Sequence, residues 1–239
     1  MSTAQSILHL SETRGRADFG WLKSRHTFSF ADYYNPSRMN FGALRVLNDD
    51  RILGGTGFGT HPHQNMEIIS IPISGGLQHE DSFGHNQVIQ QGEVQVMSAG
   101  TGIAHSEFNA SPTEEAQFLQ IWILPKKLNI QPRYDQKKFD LIERKNKFQL
   151  VVSNDGRDGS LKINQDAFLS LVDIEEGTSL TYSKKMAQNG VYFFLIDGEA
   201  DVGGENLRPR DAVGFKNTDH IEAKALQPSQ LLVIEVPLT

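Results

Sequence analysis

Alternating apolar and polar residues, interrupted by Gly, Asn and Asp about every 8–12 residues, run through almost the whole sequence. This two-residue period is typical of β-strands with one buried face, and it leaves no amphipathic helix longer than about three turns. The first dozen residues and residues 135–146 predict at most short helices. Because parallel strands need crossover helices that the sequence does not supply, we predict an all-β fold of antiparallel strands. The clearest strand patterns cover residues 26–30, 67–73, 93–97, 117–124, 191–196 and 230–236.

A polar, charge-rich stretch between residues 131 and 147, with Pro132 near its start, divides the sequence into two halves. The length of 239 residues allows one or two domains. Each half repeats the same order of strand, glycine-bearing turn, strand, second turn and strand. We therefore predict two tandem sandwich or barrel domains, residues 1–140 and residues 141–239.

The composition of the chain restricts its chemistry. It contains no cysteine, so any metal must be held by histidine nitrogen and carboxylate oxygen. Lys and Arg number 23 against 29 Asp and Glu, which gives a net charge of −6, and direct binding of nucleic acid is therefore not expected. No window has the apolar length of a signal peptide or of a membrane span, so we expect a cytoplasmic protein without a membrane partner.

Two short histidine clusters carry the strongest chemical signal in the sequence. They are His61-Pro62-His63 and His105-Ser106-Glu107. Side chains two residues apart on a strand point to the same face, so each cluster offers two metal-binding groups on one side. Imidazole and carboxylate together suit Fe(II), Mn, Ni, Cu(II) or Zn. Glu67 is also an even number of residues from His63, so spacing alone leaves the carboxylate ligand open between Glu67 and Glu107.

The glycines and spacings around these clusters resemble the two cupin motifs. In the first motif a Gly, five residues, His-x-His, three residues and Glu follow one another, and the second motif ends in His, three residues and Asn. The segments HPHQNME, MSAGTGIAHSEFN, HTFSFADYY and SNDGRDGSLKINQD are similar to segments of the pirin family, a branch of the cupin superfamily. The resemblance covers nearly the whole chain. It implies two tandem cupin-type (double-stranded β-helix, or jelly-roll) barrels, with the metal in the N-terminal barrel and a C-terminal barrel without metal ligands.

The resemblance also implies a ligand set and an activity. Pirins use the Glu two residues after the last His, so the expected ligands of one divalent transition metal are His61, His63, His105 and Glu107. Fe(II) is the expected ion, with Ni, Cu, Mn, Co and Zn as alternatives. Bacterial pirins resemble quercetin 2,3-dioxygenases, in which Glu107 would take the proton of a flavonol hydroxyl while dioxygen opens the ring and carbon monoxide leaves.

The expected partners are a small aromatic, flavonol-like substrate and dioxygen, and the expected state is a monomer. The alternative function implied by other pirins is that of a non-catalytic regulator, which depends on its metal and redox state and binds a transcription factor or a metabolic enzyme.

The remaining histidines are not expected to be metal ligands. His79 and His85 flank a polar turn and are predicted to lie at an exposed hairpin tip, from which either could reach the mouth of the site. His26 shares its strand face with two Phe residues and is predicted to be a core or rim histidine, and neither His9 nor His220 has a second donor at ligand spacing. One wall of the mouth is predicted to come from the aromatic residues Trp21, Phe28, Phe30, Tyr33, Tyr34 and Phe41. Core or pocket positions are predicted for Phe58, Met66, Met97, Phe108, Phe118, Leu119 and Trp122.

Overall fold

The computed structural model of the chain describes residues 5–238, and strands dominate it. The strands of the first half are β1 (Gln5–His9), β2 (Gly15–Asp18), β3 (Leu22–His26), β4 (Leu44–Ile52), β5 (Gly57–His63), β6 (Glu67–Ser74), β7 (Gly76–Asp81), β8 (Asn86–Gln90), β9 (Glu93–Ser98), β10 (Ile103–Asn109), β11 (Ala116–Ile123) and β12 (Arg133–Lys138). Those of the second half are β13 (Gln149–Ser153), β14 (Leu161–Lys162), β15 (Phe168–Ile174), β16 (Ser179–Ser183), β17 (Asn189–Asp197), β18 (Ala200–Val202), β19 (Glu205–Leu207), β20 (Ala212–Lys216), β21 (His220–Ala225) and β22 (Ser229–Pro237). Within the described range, helix is confined to the 3₁₀ turns Ser11–Thr13, Leu141–Arg144 and Arg157–Gly159.

The strands form two sandwiches, each with one large and one small sheet. In the first, the seven-stranded sheet β12-β9-β6-β11-β4-β3-β2 faces the four-stranded sheet β5-β10-β7-β8. In the second, β1-β20-β17-β22-β15-β13-β14 faces β16-β21-β18-β19. Adjacent strands are antiparallel except β13 and β14, which pair in parallel. The prediction of an all-β fold with two tandem jelly-roll units and few short helices is confirmed. Between residues 5 and 238 no helix is both long enough and apolar enough to cross a membrane.

The largest apolar core lies between the two seven-stranded sheets. Alternate residues of β6, such as Ile69 and Ile71, point into it together with Leu169 and Ile234 of the second half. The intervening residues of β6, such as Ile68 and Ser70, point to the other face, toward the small sheet of the first sandwich. The two-residue period thus assigns one face of β6 to structure and leaves the other available for a site.

Three local predictions differ from the structure. Strand β3 ends at His26, because Phe30 exchanges backbone hydrogen bonds with Tyr33 in a tight turn instead of continuing a ladder. Residues 135–146 begin within β12 and end in a 3₁₀ turn, so only a single turn of the predicted helix forms. Of the first dozen residues, the first four lie outside the described range, and the rest form β1 and a 3₁₀ turn.

The sheet pairing crosses the predicted domain boundary. Strand β1 pairs with β20, so the start of the chain extends the large sheet of the second sandwich. The division at residue 140 stays a prediction.

Candidate metal centre

Three of the predicted ligand histidines meet on two neighbouring strands of the small sheet. His61 and His63 lie on β5, and His105 lies directly opposite His61 on β10. The ring centroids are 4.8 Å apart for His61 and His63, 4.6 Å for His61 and His105, and 4.9 Å for His63 and His105. One nitrogen from each ring lies within 4.8 Å of the others, which is compatible with coordination of a single metal ion.

Two of these imidazoles, those of His61 and His105, are each oriented by a hydrogen bond at Nδ1. His61 Nδ1 lies 2.8 Å from the carbonyl oxygen of Gly59, which can only accept, so Nδ1 carries the hydrogen and Nε2 keeps its lone pair. Asp81 Oδ2 accepts from His79 Nε2 at 3.1 Å, and His79 Nδ1 lies 3.4 Å from His105 Nδ1. In this series of hydrogen bonds, His105 donates to His79 and His79 donates to Asp81. The lone pair of His105 therefore lies on Nε2. That nitrogen is buried and has no hydrogen-bond partner within the described residues.

The environment keeps His63 and His105 neutral. Burial, followed by the proximity of His61, lowers the pKa of His63 to about 4. Burial lowers the pKa of His105 to about 2, with further lowering from His61 and His63. Neutral imidazole is the form that binds a metal, so these two histidines are prepared to bind at neutral pH.

Glu107 lies on β10, the strand that also carries His105, and its carboxylate is fully buried. Ser70 Oγ donates to Oε1 at 3.1 Å, and Gln120 Nε2 donates to Oε2 at 2.8 Å. The pairing of β5 with β10 shifts register between His105 and Glu107, which brings Phe58 opposite Glu107. Glu107 also lies within 4.8 Å of metal-binding nitrogens of His79 and His105. Burial raises the pKa of Glu107, while the bonds from Ser70 and Gln120 partly offset that rise.

Glu67 points away from the histidines. It shares its face of β6 with Ile69 and Ile71, toward the second sandwich, whereas Ser70 faces Glu107. Its Oε2 accepts from Ser98 Oγ at 2.7 Å and from the backbone N–H of Asn164 at 3.1 Å. Burial raises the pKa of this carboxyl. The structure therefore brings Glu107, and not Glu67, within 4.8 Å of a ring nitrogen of His105, the member of the three-histidine cluster that it is grouped with.

A cavity of about 830 Å³ opens against His61, His63 and Glu107. Of the predicted aromatic wall, Trp21, Phe30 and Tyr33 line this cavity. Two other members of that prediction, Phe28 and Phe41, pack into the core between the large sheets instead, and Tyr34 is 72% exposed. Phe58 and Trp122 complete the apolar lining, with Trp21 edge-on to Phe58 at 5.3 Å and Trp122 edge-on to His63 at 5.0 Å. The space and its flat apolar walls suit an aromatic ligand.

The prediction that His79 lies at an exposed tip is wrong. The side chain is completely buried, stacked at 4.5 Å on Tyr134 of β12, and bonded to Asp81. Alternation could have indicated this, because His79 shares its parity on β7 with the apolar Leu77. His85 does remain partly exposed, with 42% of its side chain accessible, and also bonds Asp81.

Asp50 is a cavity residue that sequence reasoning missed. It lies in the middle of β4, faces the cavity and has a buried oxygen, Oδ1, without a partner within residues 5–238. Burial raises its pKa to about 7. The cross-strand pairs of Ser24 with Asp50 and of His26 with Asn48 place four polar side chains on this face. His26 is buried, as predicted.

The second sandwich has no comparable cluster among the described residues. The groups of three or more metal-binding side chains that residues 5–238 contain all lie in the first half. His220 is exposed and bonds Ser183 Oγ at 3.2 Å.

Comparison with known proteins identifies the family. The model of the family described as Pirin matches residues 8–123, and the model described as Quercetinase C-terminal cupin domain matches residues 150–236. The chain is 42% identical to the quercetin 2,3-dioxygenase of Escherichia coli strain K12 over 233 residues, which cover 96% of this chain and 98% of the relative. The chain belongs to the pirin family. The first half of this pirin thus carries the histidine cluster, and the second half is its C-terminal cupin domain.

Solved pirin structures share the whole architecture. The crystal structure of YhhW from Escherichia coli is 41% identical, with a TM-score of 0.94, and the match covers 98% of this pirin and 99% of that chain. The nickel(II) complex of the bacterial pirin YhhW from the same organism is 40% identical, with a TM-score of 0.93 and coverage of 98% and 100%.

Proposed function

We propose that this pirin is a metal-dependent dioxygenase that cleaves flavonol-type substrates. The observation that carries the proposal is a cluster of three imidazoles, of which His61 and His63 line a cavity with aromatic walls together with the buried carboxylate of Glu107. The names of similar proteins support the same activity, since the Escherichia coli relative is a quercetin 2,3-dioxygenase.

His61, His63, His105 and Glu107 would hold one divalent transition metal. The fit rests on His105 Nε2, which is buried without a hydrogen-bond partner among the described residues and carries a free lone pair. The donor set of imidazole and carboxylate suits Fe(II), the ion that we propose, and also accepts Ni, Cu, Mn, Co or Zn. The nickel(II) complex of a similar pirin supports a divalent ion. Such an ion, when bound, supplies Lewis-acid activation of a chelating substrate and a route for electrons to dioxygen.

Glu107 is the proposed proton acceptor. Each of its oxygens already accepts one hydrogen bond, from Ser70 or from Gln120, and keeps a further lone pair for the proton of a flavonol hydroxyl. Burial raises the pKa of Glu107, which makes the carboxylate a stronger base than an exposed one. The two donors fix the direction of the carboxylate, so the proton is received at a defined place.

The aromatic walls would hold and shield the flat substrate. Trp21, Phe58 and Trp122 offer apolar surface next to His63, which excludes water from the reacting ring. In the overall reaction, one dioxygen molecule adds to the flavonol. The central ring opens to an ester and one carbon monoxide leaves, so all atoms of substrate and dioxygen appear in the two products.

Anaerobic loading with each candidate metal, followed by exposure to a flavonol and oxygen, tests the proposal. We expect oxygen uptake and carbon monoxide release in a one-to-one ratio with at least one metal. Glu107→Gln should lower kcat by about 100-fold or more, since it removes the base while keeping the size of the side chain. If no metal-loaded preparation releases carbon monoxide, the dioxygenase proposal is wrong and the regulatory alternative is favoured.

A further inference from the structure

A second, strongly basic groove lies next to the candidate metal centre. Its volume is about 650 Å³, and it lies where β2, β3 and β4 meet the second sandwich. Six cationic side chains line it against three anionic ones, in a chain whose net charge is −6. The cations are Arg14, Arg16, Lys23, Arg25, Arg51 and Arg210. This groove differs from the aromatic cavity in its charge and borders it, because Arg16, Ala17, Asp18 and Ser24 line both spaces.

Alternation along β3 and β4 directs most side chains to one space or the other, and among the lining residues on these strands only Ser24 borders both. On β3 and β4, Ser24 and Asp50 point to the aromatic cavity, while Lys23, Arg25 and Arg51 are exposed on the opposite side. The ladder pairs Lys23 directly with Arg51. It also pairs Arg16 of β2 directly with Arg25 of β3. Like charges placed directly opposite are destabilising unless a counter-charge lies between them.

Most of these cations have no internal counter-ion. Within residues 5–238, Arg14, Arg16, Lys23 and Arg25 make no salt bridge, whereas Arg51 lies 3.8 Å from Glu115. Charged side chains without a salt bridge are common where they extend into solvent. Here, however, the unpaired charges converge on one concave space.

Arg14 gives the strongest evidence for a ligand. Its side chain is 4% exposed, and Nε, Nη1 and Nη2 are all buried without a hydrogen-bond partner among the described residues. The Phe194 ring covers one face of the guanidinium, with its centroid 4.6 Å from Cζ, so the donor edges remain for an acceptor.

The nearby carboxylates are engaged elsewhere. Asp49 accepts from Gln117 Nε2 at 2.7 Å and lies 3.6 Å from Arg210 Nε. Asp211 accepts from the backbone N–H groups of Ser11, at 2.7 Å, and of Arg208, at 3.0 Å. A buried guanidinium normally has an acceptor, and residues 5–238 supply none for Arg14, so a ligand in the groove can provide it.

We propose that this groove binds a small polyanion whose phosphate or carboxylate groups accept hydrogen bonds from Arg14, Arg16 and Arg25. Arginine offers planar, paired donors that match both kinds of oxyanion. The volume suits a small molecule bearing two or more anionic groups. The proposal does not depend on the proposed dioxygenase reaction, although Arg16 also lines the aromatic cavity.

Calorimetric titration of the metal-loaded full chain with pyrophosphate and with tricarballylate tests this proposal. We expect saturable binding that weakens as salt is added, with a Kd of about 1 mM or tighter at low ionic strength. Preference for pyrophosphate would identify phosphate as the ligand group, and preference for tricarballylate would identify carboxylate. Metal content measured after each titration shows whether the probe has merely extracted the ion.

Substitutions locate the binding. The double variant Arg16→Gln/Arg25→Gln, which changes two exposed arginines, should weaken binding by about tenfold or more. Arg14→Met should abolish binding. Lys224→Gln, an exposed lysine on β21, is the matched control and should leave the affinity unchanged. If Arg14→Met fails to fold, the double variant still decides the matter. The proposal is overturned if neither probe binds saturably at about 10 mM, or if Lys224→Gln weakens binding as much as the double variant does.

Discussion

His79 Nε2 donates to Asp81 Oδ2 over 3.1 Å, and neither side chain is accessible to solvent. The opposite nitrogen of the His79 ring lies 3.4 Å from His105 Nδ1, so the pair reaches the proposed ligand from behind. Burial lowers the pKa of His79, and the Asp81 carboxylate only partly offsets this lowering. The pair fixes both the tautomer and the ring angle of His105.

Replacing His79 should weaken metal binding without removing any proposed ligand. His79→Ala leaves His105 Nδ1 without its partner, and we expect metal affinity to fall by about 10–100-fold. Competition with a chelator of known affinity measures the change. The control is His85→Ala, because His85 bonds the same Asp81 oxygen at 2.8 Å but is partly exposed. Equal losses in the two variants would contradict a specific role for His79.

Removal of a proposed ligand should have a larger effect. His61→Ala and His105→Ala are each expected to lose bound metal, as measured by elemental analysis after anaerobic reconstitution, while the far-ultraviolet circular dichroism stays that of a β-protein. His220→Ala removes an exposed histidine of the second sandwich and should keep about one metal per chain. Loss of metal from His220→Ala would contradict a metal site in the first sandwich, because His220 lies in the second.

Asp50 should make the stability of the chain depend on pH. Burial raises its pKa from 3.8 to about 7, so the native state keeps a proton that the unfolded chain releases. The free energy of unfolding should therefore be highest below about pH 4 and fall by up to about 4 kcal/mol as the pH rises through 7. Denaturant titrations of the wild type and of Asp50→Asn measure this at several pH values. Other carboxyls titrate in both proteins, so only the difference between the two curves reports Asp50, and parallel curves would refute the prediction.

Trp21 should contribute to substrate binding, and leucine in its place keeps an apolar side chain against the core cluster on which Trp21 packs. It is half-buried at the cavity and packs edge-on against Phe58. Trp21→Leu is expected to raise KM for a flavonol by about tenfold with a smaller change in kcat, because it removes part of one aromatic wall. Tyr34→Leu changes an aromatic residue that is 72% exposed and should leave both constants unchanged. An unchanged KM in Trp21→Leu would place the substrate elsewhere.

The sequence allowed the strands and the histidine cluster to be predicted for a simple physical reason. Alternation is a local property, so the residues from Glu67 to Ser74 and from Ser229 to Pro237 reveal their strands directly. His61 and His63 are two residues apart on one strand, and their common face follows from the same period.

An even spacing between two residues does not indicate a common face where the chain passes from one sheet to another. His63 ends β5 in the small sheet and Glu67 begins β6 in the large one, so the even spacing between them carries no information about a common face. His105 and Glu107 share one strand, and their common face survives a register shift against β5. Asp50 was missed because its surroundings come from β3 and from the turn after it, which are distant in sequence from the histidine motifs.

The pairing of β1 with β20 makes the two halves mechanically interdependent. A fragment that begins after residue 140 would lack residues 5–9, and the edge of β20 would present free backbone donors and acceptors to other molecules. It would also expose the apolar side of its large sheet, which is covered by Ile69, Ile71 and their neighbours in the intact chain. Such a fragment should self-associate when expressed alone. The half that carries the histidine cluster and the half whose described residues form no such cluster therefore share both a sheet and an apolar core.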